Sequence, residues 1–119
     1  MYKSVVTEVG ALALAFEEEK VSILFGPQAP QELKEIAIIH ESIIDNSEES
    51  IIDGGVFMVD DQEYKITAVG SAANTNLREL GHISIYFLDL ENEILPGAVF
   101  VSPHVFPKYK NGSVLEFKG

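Results

Sequence analysis

Turn signals divide the chain into short runs of β-branched and aromatic residues, and this pattern limits the fold more than any other feature. Residues of these types suit a pleated, half-buried surface, so each run predicts a strand. The predicted strands are Lys3–Gly10, Ala11–Phe16 (continuing the pairing of the first), Lys20–Phe25, Ile36–Asp45, Val56–Val59, Glu63–Gly70, His82–Asp89, Ala98–Ser102 and Ser113–Lys118. Only one or two single-turn helices are predicted between them, the first opened by Pro30. The pattern predicts an all-β barrel or sandwich, and we expect a small closed or partly open β-barrel of short strands.

Length, charge and the lack of cysteine restrict the classes of function. A chain of 119 residues is long enough for one domain, residues 1–119, with its own core. The formal net charge of −11 disfavours nucleic acid as a partner and favours a basic protein surface. Without cysteine there is no disulfide, thiolate nucleophile or cysteine metal site. The N-terminus carries no secretory signal and the longest apolar run, Ala11–Phe16, is too short to span a bilayer, so we expect a cytoplasmic protein that is not inserted in a membrane.

A loop of small residues within Ala68–His82 predicts an anion-binding site. The backbone amides of Gly70, Ser71 and Ala72 can form a nest, a concave arrangement of N–H groups that holds phosphate. Arg78, the only arginine in the chain, follows closely and can either clamp a phosphoryl group or pair with a carboxylate. Because the net charge of the chain opposes an anion, such a ligand needs local donors of this kind.

The same segment predicts one short helix. Asn76 and Glu79 have the spacing of a capping box, so we expect the helix to begin at Asn76. Leu77 and Leu80 then share one face, and Gly81 suits the left-handed conformation that ends a helix. A helix N-terminus also attracts anions, which reinforces the indication of phosphate chemistry.

Three histidines are candidates for chemistry, and His40 is the strongest of them. It lies in the strand Ile36–Asp45, where both faces are mostly apolar, so we expect a partly buried and neutral imidazole. Neutral imidazole is the nucleophilic form. Two interpretations remain open: a nucleophile held on a rigid strand, or a structural histidine whose ring is satisfied by hydrogen bonds.

The other two histidines have less specific surroundings. His82 either bonds the last carbonyls of the preceding helix or lies beside His40 and donates a hydrogen bond to a phosphoryl oxygen. His104 is interpreted as a turn residue without a role. The three histidines and Glu41 lack the spacing of known metal motifs, so no metal site is predicted. Nucleophile-elbow, Walker and dinucleotide-binding motifs are also absent from the sequence.

At these residues the chain resembles the glucitol/sorbitol-specific IIA components of the bacterial phosphoenolpyruvate-dependent sugar phosphotransferase system. The resemblance covers nearly the whole chain, with motifs in the same order and at similar spacing. The motifs are Ala68-Val69-Gly70-Ser71, Asn76-Leu77-Arg78-Glu79-Leu80-Gly81-His82, Ile39-His40, Pro96-Gly97 and Gly112-Ser113-Val114-Leu115.

The resemblance implies a phosphotransferase that works through a phosphohistidine intermediate on His40, without a cofactor. Phosphorylated HPr, the small phosphocarrier of the system, is the implied donor. A IIB component of the sugar permease, which uses a cysteine in this family, is the implied acceptor, for the uptake and phosphorylation of glucitol/sorbitol. His82 and the amides of Gly70–Ala73 are then candidate stabilisers of the phosphoryl oxygens. Glu41 stands where the family pattern leads us to expect a small or neutral residue.

Two other functions stay open at this point. One is a binding or regulatory β-barrel that keeps the fold while His40 is silent. The other is a small metal-dependent barrel that uses the histidines. The sequence leaves the oligomeric state open.

Overall fold

The computed structural model describes residues 1–119 and contains eight strands and three short helices. The strands are β1 (Tyr2–Val9), β2 (Val21–Phe25), β3 (Ile38–Asp45), β4 (Val56–Val59), β5 (Gln62–Val69), β6 (Ile83–Tyr86), β7 (Ala98–Ser102) and β8 (Val114–Lys118). The helices are a 3-10 helix (Ala13–Glu19), α1 (Gln31–Lys34) and α2 (Ala73–Leu80). No helix has the length and apolar character needed to cross a membrane.

The strands close into one barrel in the order β1-β3-β2-β6-β7-β5-β4-β8. The pairs β2–β3 and β6–β7 are parallel, and the other neighbours are antiparallel. The predicted small β-barrel is therefore confirmed in its closed form. Closure pairs every strand on both sides, so no sheet edge is left for another chain.

Alternation along the strands places one set of side chains in the barrel interior. In β6, Ile83 and Ile85 are buried, whereas Ser84 and Tyr86 lie on the more exposed face. The interior holds a cluster of 20 buried hydrophobic residues, among them the fully buried rings of three phenylalanines. A second cluster of four packs separately from it: Phe25, Ala29, Ala37 and Ile39.

The predicted strand Ala11–Phe16 is wrong, because this segment leads into the 3-10 helix. Leu12 and Leu14 are 54% and 45% exposed and only Ala13 of the run is buried, so the run lacks the alternating buried face of a strand. The amide of Ala15 donates to the carbonyl of Leu12 at 3.1 Å, a local bond in place of a ladder bond. Lys20 then takes the left-handed conformation, with φ of 56°, and turns the chain into β2.

The predicted capping box at Asn76 is also wrong. Helix α2 begins earlier, with Ala72 at the N-cap and no side chain capping it, and the amide of Asn76 donates to the Ala72 carbonyl at 2.9 Å inside the helix. The first residue of α2 is fully buried in the core, so packing fixes this start. Gly81 ends the helix in the left-handed conformation as predicted, with φ of 66°. Of the two leucines expected on one face, Leu77 is buried and Leu80 is exposed.

Other predicted elements agree with the structure apart from their ends. Pro30 precedes the single turn of α1, as expected. The strand predicted over His82–Asp89 is shorter, because only Ile83–Tyr86 pairs with its neighbours. The following leucines, Leu88 and Leu90, are exposed.

Candidate functional site

His40 lies on the buried side of β3 and is held by hydrogen bonds at both ring nitrogens. Its side chain is only 1% exposed, opposite Val6 in the pairing of β1 with β3. Nδ1 lies 2.8 Å from the hydroxyl oxygen of Ser4 on β1, and Nε2 lies 2.7 Å from the carbonyl oxygen of Gly81 after α2. The edge of the His40 ring also meets the Tyr2 ring, with centroids 6.1 Å apart. Three separate parts of the chain therefore fix this imidazole.

The two partners determine which ring nitrogen of His40 carries the proton. A carbonyl oxygen only accepts hydrogen bonds, so Nε2 is protonated and donates to Gly81. Nδ1 holds the lone pair and accepts from the Ser4 hydroxyl. Both polar atoms of the neutral ring are satisfied within the protein, as a buried side chain requires.

Burial keeps the His40 ring neutral. Loss of solvation lowers the pKa of His40 below its ordinary value of 6.5, and the bond to the Gly81 carbonyl opposes this shift in part. The neutral form expected from the apolar strand is therefore the form present at pH 7. Such a ring has one nitrogen lone pair to offer an electrophile.

His40 and Arg78 line the same depression, whose volume is about 240 Å³. Arg78 is exposed on α2 and takes part in none of the ion pairs, which involve Lys3, His104 and Lys118. The depression also includes the carboxylates of Glu41 and Glu79, so Arg78 is the only cationic residue along it. The sequence placed Glu41 on the opposite face of the strand from His40. In the structure both residues contribute to this depression.

Gln28 supplies an amide to the same depression. Its Nε2 donates to the carbonyl of Leu80 at 2.7 Å, next to the Gly81 carbonyl that holds His40. The backbone amide of Gly26 donates to the same Leu80 carbonyl at 2.9 Å. The loop before α1 is thus bonded to the C-terminal end of α2 where that end meets the histidine.

Gly81 is required here for more than ending a helix. Its positive φ disfavours any side chain, and a Cβ on it would lie 2.8 Å from the amide nitrogen of Gly26 and 3.2 Å from Nε2 of His40. The first distance is too short for a real contact, so the loop would have to shift. Glycine therefore allows the chain to pass directly beside the imidazole.

The predicted nest of Gly70, Ser71 and Ala72 lies at the other end of α2 from His40. The eight residues of α2 separate the two places by about 12 Å of helix rise. The amides of Gly70 and Ala72 already donate to the carbonyls of Ala98 and Pro96, at 2.8 Å and 2.9 Å. The structure does not bring these three residues to His40.

His82 lines a different depression from His40. Its ring stacks on Phe25, with centroids 4.3 Å apart and an interplanar angle of 20°. Burial lowers the pKa of His82 below 6.5, so this ring is neutral as well. Its neighbours include Asn76, Ser84 and Gly97, in a space of about 140 Å³. His82 was expected to bond the last carbonyls of the helix, but the carbonyl of Leu80, the last residue of α2, accepts from Gln28 and Gly26 instead.

His104 lines neither of the depressions that contain the other two histidines. Its Nε2 is 3.3 Å from a carboxylate oxygen of Asp89, and its carbonyl accepts from Lys20 Nζ at 2.9 Å. No group of three or more histidine or carboxylate side chains lies close enough together to hold a metal ion. The positions of these side chains do not support the hypothesis of a metal-dependent barrel.

Comparison with known proteins identifies the family. Residues 1–116 match the family model described as the glucitol/sorbitol-specific IIA component of the phosphotransferase system (PTS). The chain belongs to this family. It is 35% identical over 118 residues to the glucitol/sorbitol-specific EIIA components of Escherichia coli (strain K12) and of Shigella flexneri, covering 99% of this chain and 94% of each relative. The crystal structure of a PTS IIA component from Enterococcus faecalis V583 superposes with a TM-score of 0.86 at 31% identity, covering 98% of this chain and 99% of that one.

Membership of this IIA family confirms the resemblance inferred from the sequence and the phosphocarrier function that goes with it. The sequence missed two groups that hold His40, the Ser4 hydroxyl and the Gly81 carbonyl. A signal for Ser4 was present, because it alternates with apolar residues on the inward face of β1, where a hydroxyl needs a polar partner. No sequence signal indicates the Gly81 carbonyl or the Gln28 amide, since only the tertiary fold brings them to the site.

Proposed function

We propose that His40 is the residue of this IIA component that carries the phosphoryl group. The observation behind the proposal is that a neutral imidazole and an unpaired guanidinium line one depression. The imidazole supplies the nucleophile, and Arg78 supplies a positive charge for the phosphoryl oxygens. Phosphoryl transfer needs mainly positioning and electrostatic stabilisation of this kind.

Nε2 is the ring nitrogen that we assign as the nucleophile. Nδ1 points to Ser4, which is fully buried, so a phosphoryl group has no room there. Nε2 points to the Gly81 carbonyl, which is only part-buried and borders the depression. In the reactive form the ring proton is on Nδ1, and this N–H group donates a hydrogen bond to the Ser4 oxygen. The Nε2 lone pair then opposes the lone pairs of the Gly81 oxygen, and this repulsion turns Nε2 toward the depression.

The transfer step conserves charge and protons. Phospho-HPr of this system carries its phosphoryl group on a histidine. The Nε2 lone pair forms a bond to phosphorus while the phosphorus–nitrogen bond of that histidine breaks, and the electron pair of the bond returns to the donor imidazole. The proton on Nδ1 stays in place. In the next step the same ring leaves phosphorus as a neutral imidazole when the cysteine of the IIB component attacks.

The charge of the chain suits this sequence of partners. A net charge of −11 attracts a basic docking surface and speeds the encounter with it. Exchange of phosphoryl groups with HPr and a IIB component of a glucitol/sorbitol permease implies a cytoplasmic location. His82 has no direct place in this step, because it lines another depression.

One observation favours a second candidate function, a binding or regulatory barrel in which His40 is silent. Both nitrogens of His40 are bonded within the protein and the side chain is 1% exposed, which also describes a structural histidine. In that case Ser4 and Gly81 have only the task of satisfying a buried ring.

A labelling experiment separates the two functions. Radiolabelled phosphoenolpyruvate, enzyme I and HPr are incubated with the wild type and with His40→Ala, His82→Gln and His104→Gln. We expect acid-labile label on the wild type, on His82→Gln and on His104→Gln, and none on a folded His40→Ala. Label that persists in His40→Ala, or its absence from the wild type, rules out the assignment of His40.

A further inference from the structure

The hydroxyl of Ser4 is the only polar group that meets Nδ1 of His40. Ser4 lies on β1 between the buried residues Tyr2 and Val6 and is fully buried itself. The hydroxyl oxygen is 2.8 Å from Nδ1, and this is the only hydrogen bond of the Ser4 side chain. A hydroxyl in an apolar interior costs free energy unless it is bonded, so its place here depends on the imidazole.

The two partners of the His40 ring differ in what they can do. The Gly81 carbonyl can only accept, and it therefore favours the proton on Nε2. The Ser4 hydroxyl can accept or donate by rotating about its carbon–oxygen bond. It can follow the proton of the ring from one nitrogen to the other, whereas the carbonyl cannot.

We propose that Ser4 is a positioning residue for phosphoryl transfer, which accepts a hydrogen bond from Nδ1 and so stabilises the form of His40 whose Nε2 lone pair attacks phosphorus. This inference rests on the proposed function of His40. In the resting form Nε2–H donates to Gly81 and Ser4 donates to Nδ1. The ring then changes tautomer: one proton from water is taken up at Nδ1 and one proton is released from Nε2 to water. The ring stays neutral while Ser4 changes from donor to acceptor.

Removal of the hydroxyl is expected to leave the resting form in place and to disfavour the reactive one. In Ser4→Ala, Nδ1–H has no acceptor in the interior, while Nε2–H keeps the Gly81 carbonyl. The nucleophilic form becomes rarer, and the phosphoryl group is held by a less well oriented ring. Removal of the groups that orient a metal-bound histidine typically costs about 10- to 100-fold in affinity or activity, and we expect an effect of this size for His40.

The test compares Ser4→Ala and Ser4→Thr with Ser22→Ala. Ser22 provides a matched control because its hydroxyl is also buried, on β2, but makes no hydrogen bond to the His40 ring. Single-turnover transfer from phospho-HPr is measured as the concentration of donor varies. We expect the maximal rate of Ser4→Ala to fall by about 10- to 100-fold with little change in the half-saturating donor concentration, and Ser4→Thr and Ser22→Ala to stay within about threefold of the wild type.

Nitrogen NMR of the His40 ring gives a readout that does not depend on phosphorylation. In Ser4→Ala we expect the Nδ1 signal to move toward the position of an unbonded lone-pair nitrogen, with Nε2 still protonated. An unchanged Nδ1 signal, or a wild-type maximal rate in folded Ser4→Ala, overturns the role of Ser4. If Ser4→Ala does not fold, Ser4→Cys is used, since a thiol bonds more weakly, and a wild-type rate there has the same meaning. If wild-type His40 takes no label while the NMR shift occurs, the proposed function fails and the contact with Ser4 does not.

Discussion

Replacing Gly81 with alanine tests whether the close passage of the chain beside His40 contributes to stability beyond the left-handed conformation itself. The conformation alone costs an alanine about 1 kcal/mol. The new Cβ would also lie 2.8 Å from the Gly26 amide nitrogen and 3.2 Å from Nε2 of His40, where backbone must move. Shifts of this kind in packed regions cost about 1–3 kcal/mol more, so we expect a total loss of about 2–4 kcal/mol.

Gly54→Ala isolates the contact term of this prediction. Gly54 also has a positive φ, 85°, but a Cβ there meets nothing within 4 Å. We therefore expect Gly54→Ala to lose only about 1 kcal/mol. For a chain of 119 residues, 1 kcal/mol corresponds to a Tm shift of about 4 °C, which gives about 8–16 °C for Gly81→Ala and about 4 °C for Gly54→Ala.

Thermal and urea unfolding followed by circular dichroism measure both variants. The urea midpoint and slope together give the free energy of unfolding, and an unchanged slope shows that the variants unfold in the same way. If Gly81→Ala and Gly54→Ala lose the same stability within about 0.5 kcal/mol, the close approach to His40 has no energetic consequence and the reasoning is refuted.

Three other predictions follow from the structure. The free energy of unfolding is expected to fall as the pH is lowered below about 6.5. The reason is that the unfolded chain takes up protons that the buried rings of His40 and His82, with their lowered pKa values, do not. Arg78→Gln should slow phosphoryl transfer from phospho-HPr by about 100-fold, and Arg78→Lys should recover part of the rate. The stability of both variants should stay within about 0.5 kcal/mol of the wild type because the Arg78 side chain is exposed and unpaired. Asn74→Ala should lower the free energy of unfolding by about 2 kcal/mol, since the Asn74 amide makes two hydrogen bonds of 2.8 Å to the backbone of Ile51. Asn76→Ala should leave the free energy of unfolding unchanged because the Asn76 side chain does not cap the helix.

Each of these has a clear contrary result. The pH dependence is tested by comparing His82→Gln with the double variant His40→Gln/His82→Gln. If their free energies of unfolding depend equally on pH between 5 and 6.5, the buried ring of His40 is not the source of that dependence. Equal transfer rates for Arg78→Gln and the wild type remove the guanidinium from the site. A loss of about 1 kcal/mol in Asn76→Ala, as for an N-cap residue, contradicts the observed start of α2.

Residue type and alternation were enough to predict most strands of the barrel. They failed for Ala11–Phe16, where an apolar run of small residues bonds locally in a 3-10 helix and leaves its leucines exposed. They failed again for the start of α2, because burial of the first helical turn outweighed the local capping signal at Asn76. In both cases a tertiary contact, or the lack of one, decided which local structure formed.

The candidate site shows the same division. An apolar strand around His40 was sufficient to predict a neutral imidazole, in agreement with the lowered pKa, although the ring is fully buried and not partly buried as expected. The anion site predicted at Gly70, Ser71 and Ala72 was drawn from local sequence alone. Those residues are close to His82 along the chain but lie one helix length from His40, and two of their amides are bonded to the Pro96–Ala98 segment.

The sequence by itself determined the strand-rich class, the family and the histidine most suited to chemistry, because residue type, alternation and motif order are local properties. The tertiary structure decided which groups hold that histidine. Closure of the barrel places Ser4 at one ring nitrogen, and the turn after α2 places the Gly81 carbonyl at the other. These partners lie 36 and 41 residues away in the chain. Their geometry depends on the pairing of β1 with β3 and on the docking of α2, which no local pattern specifies.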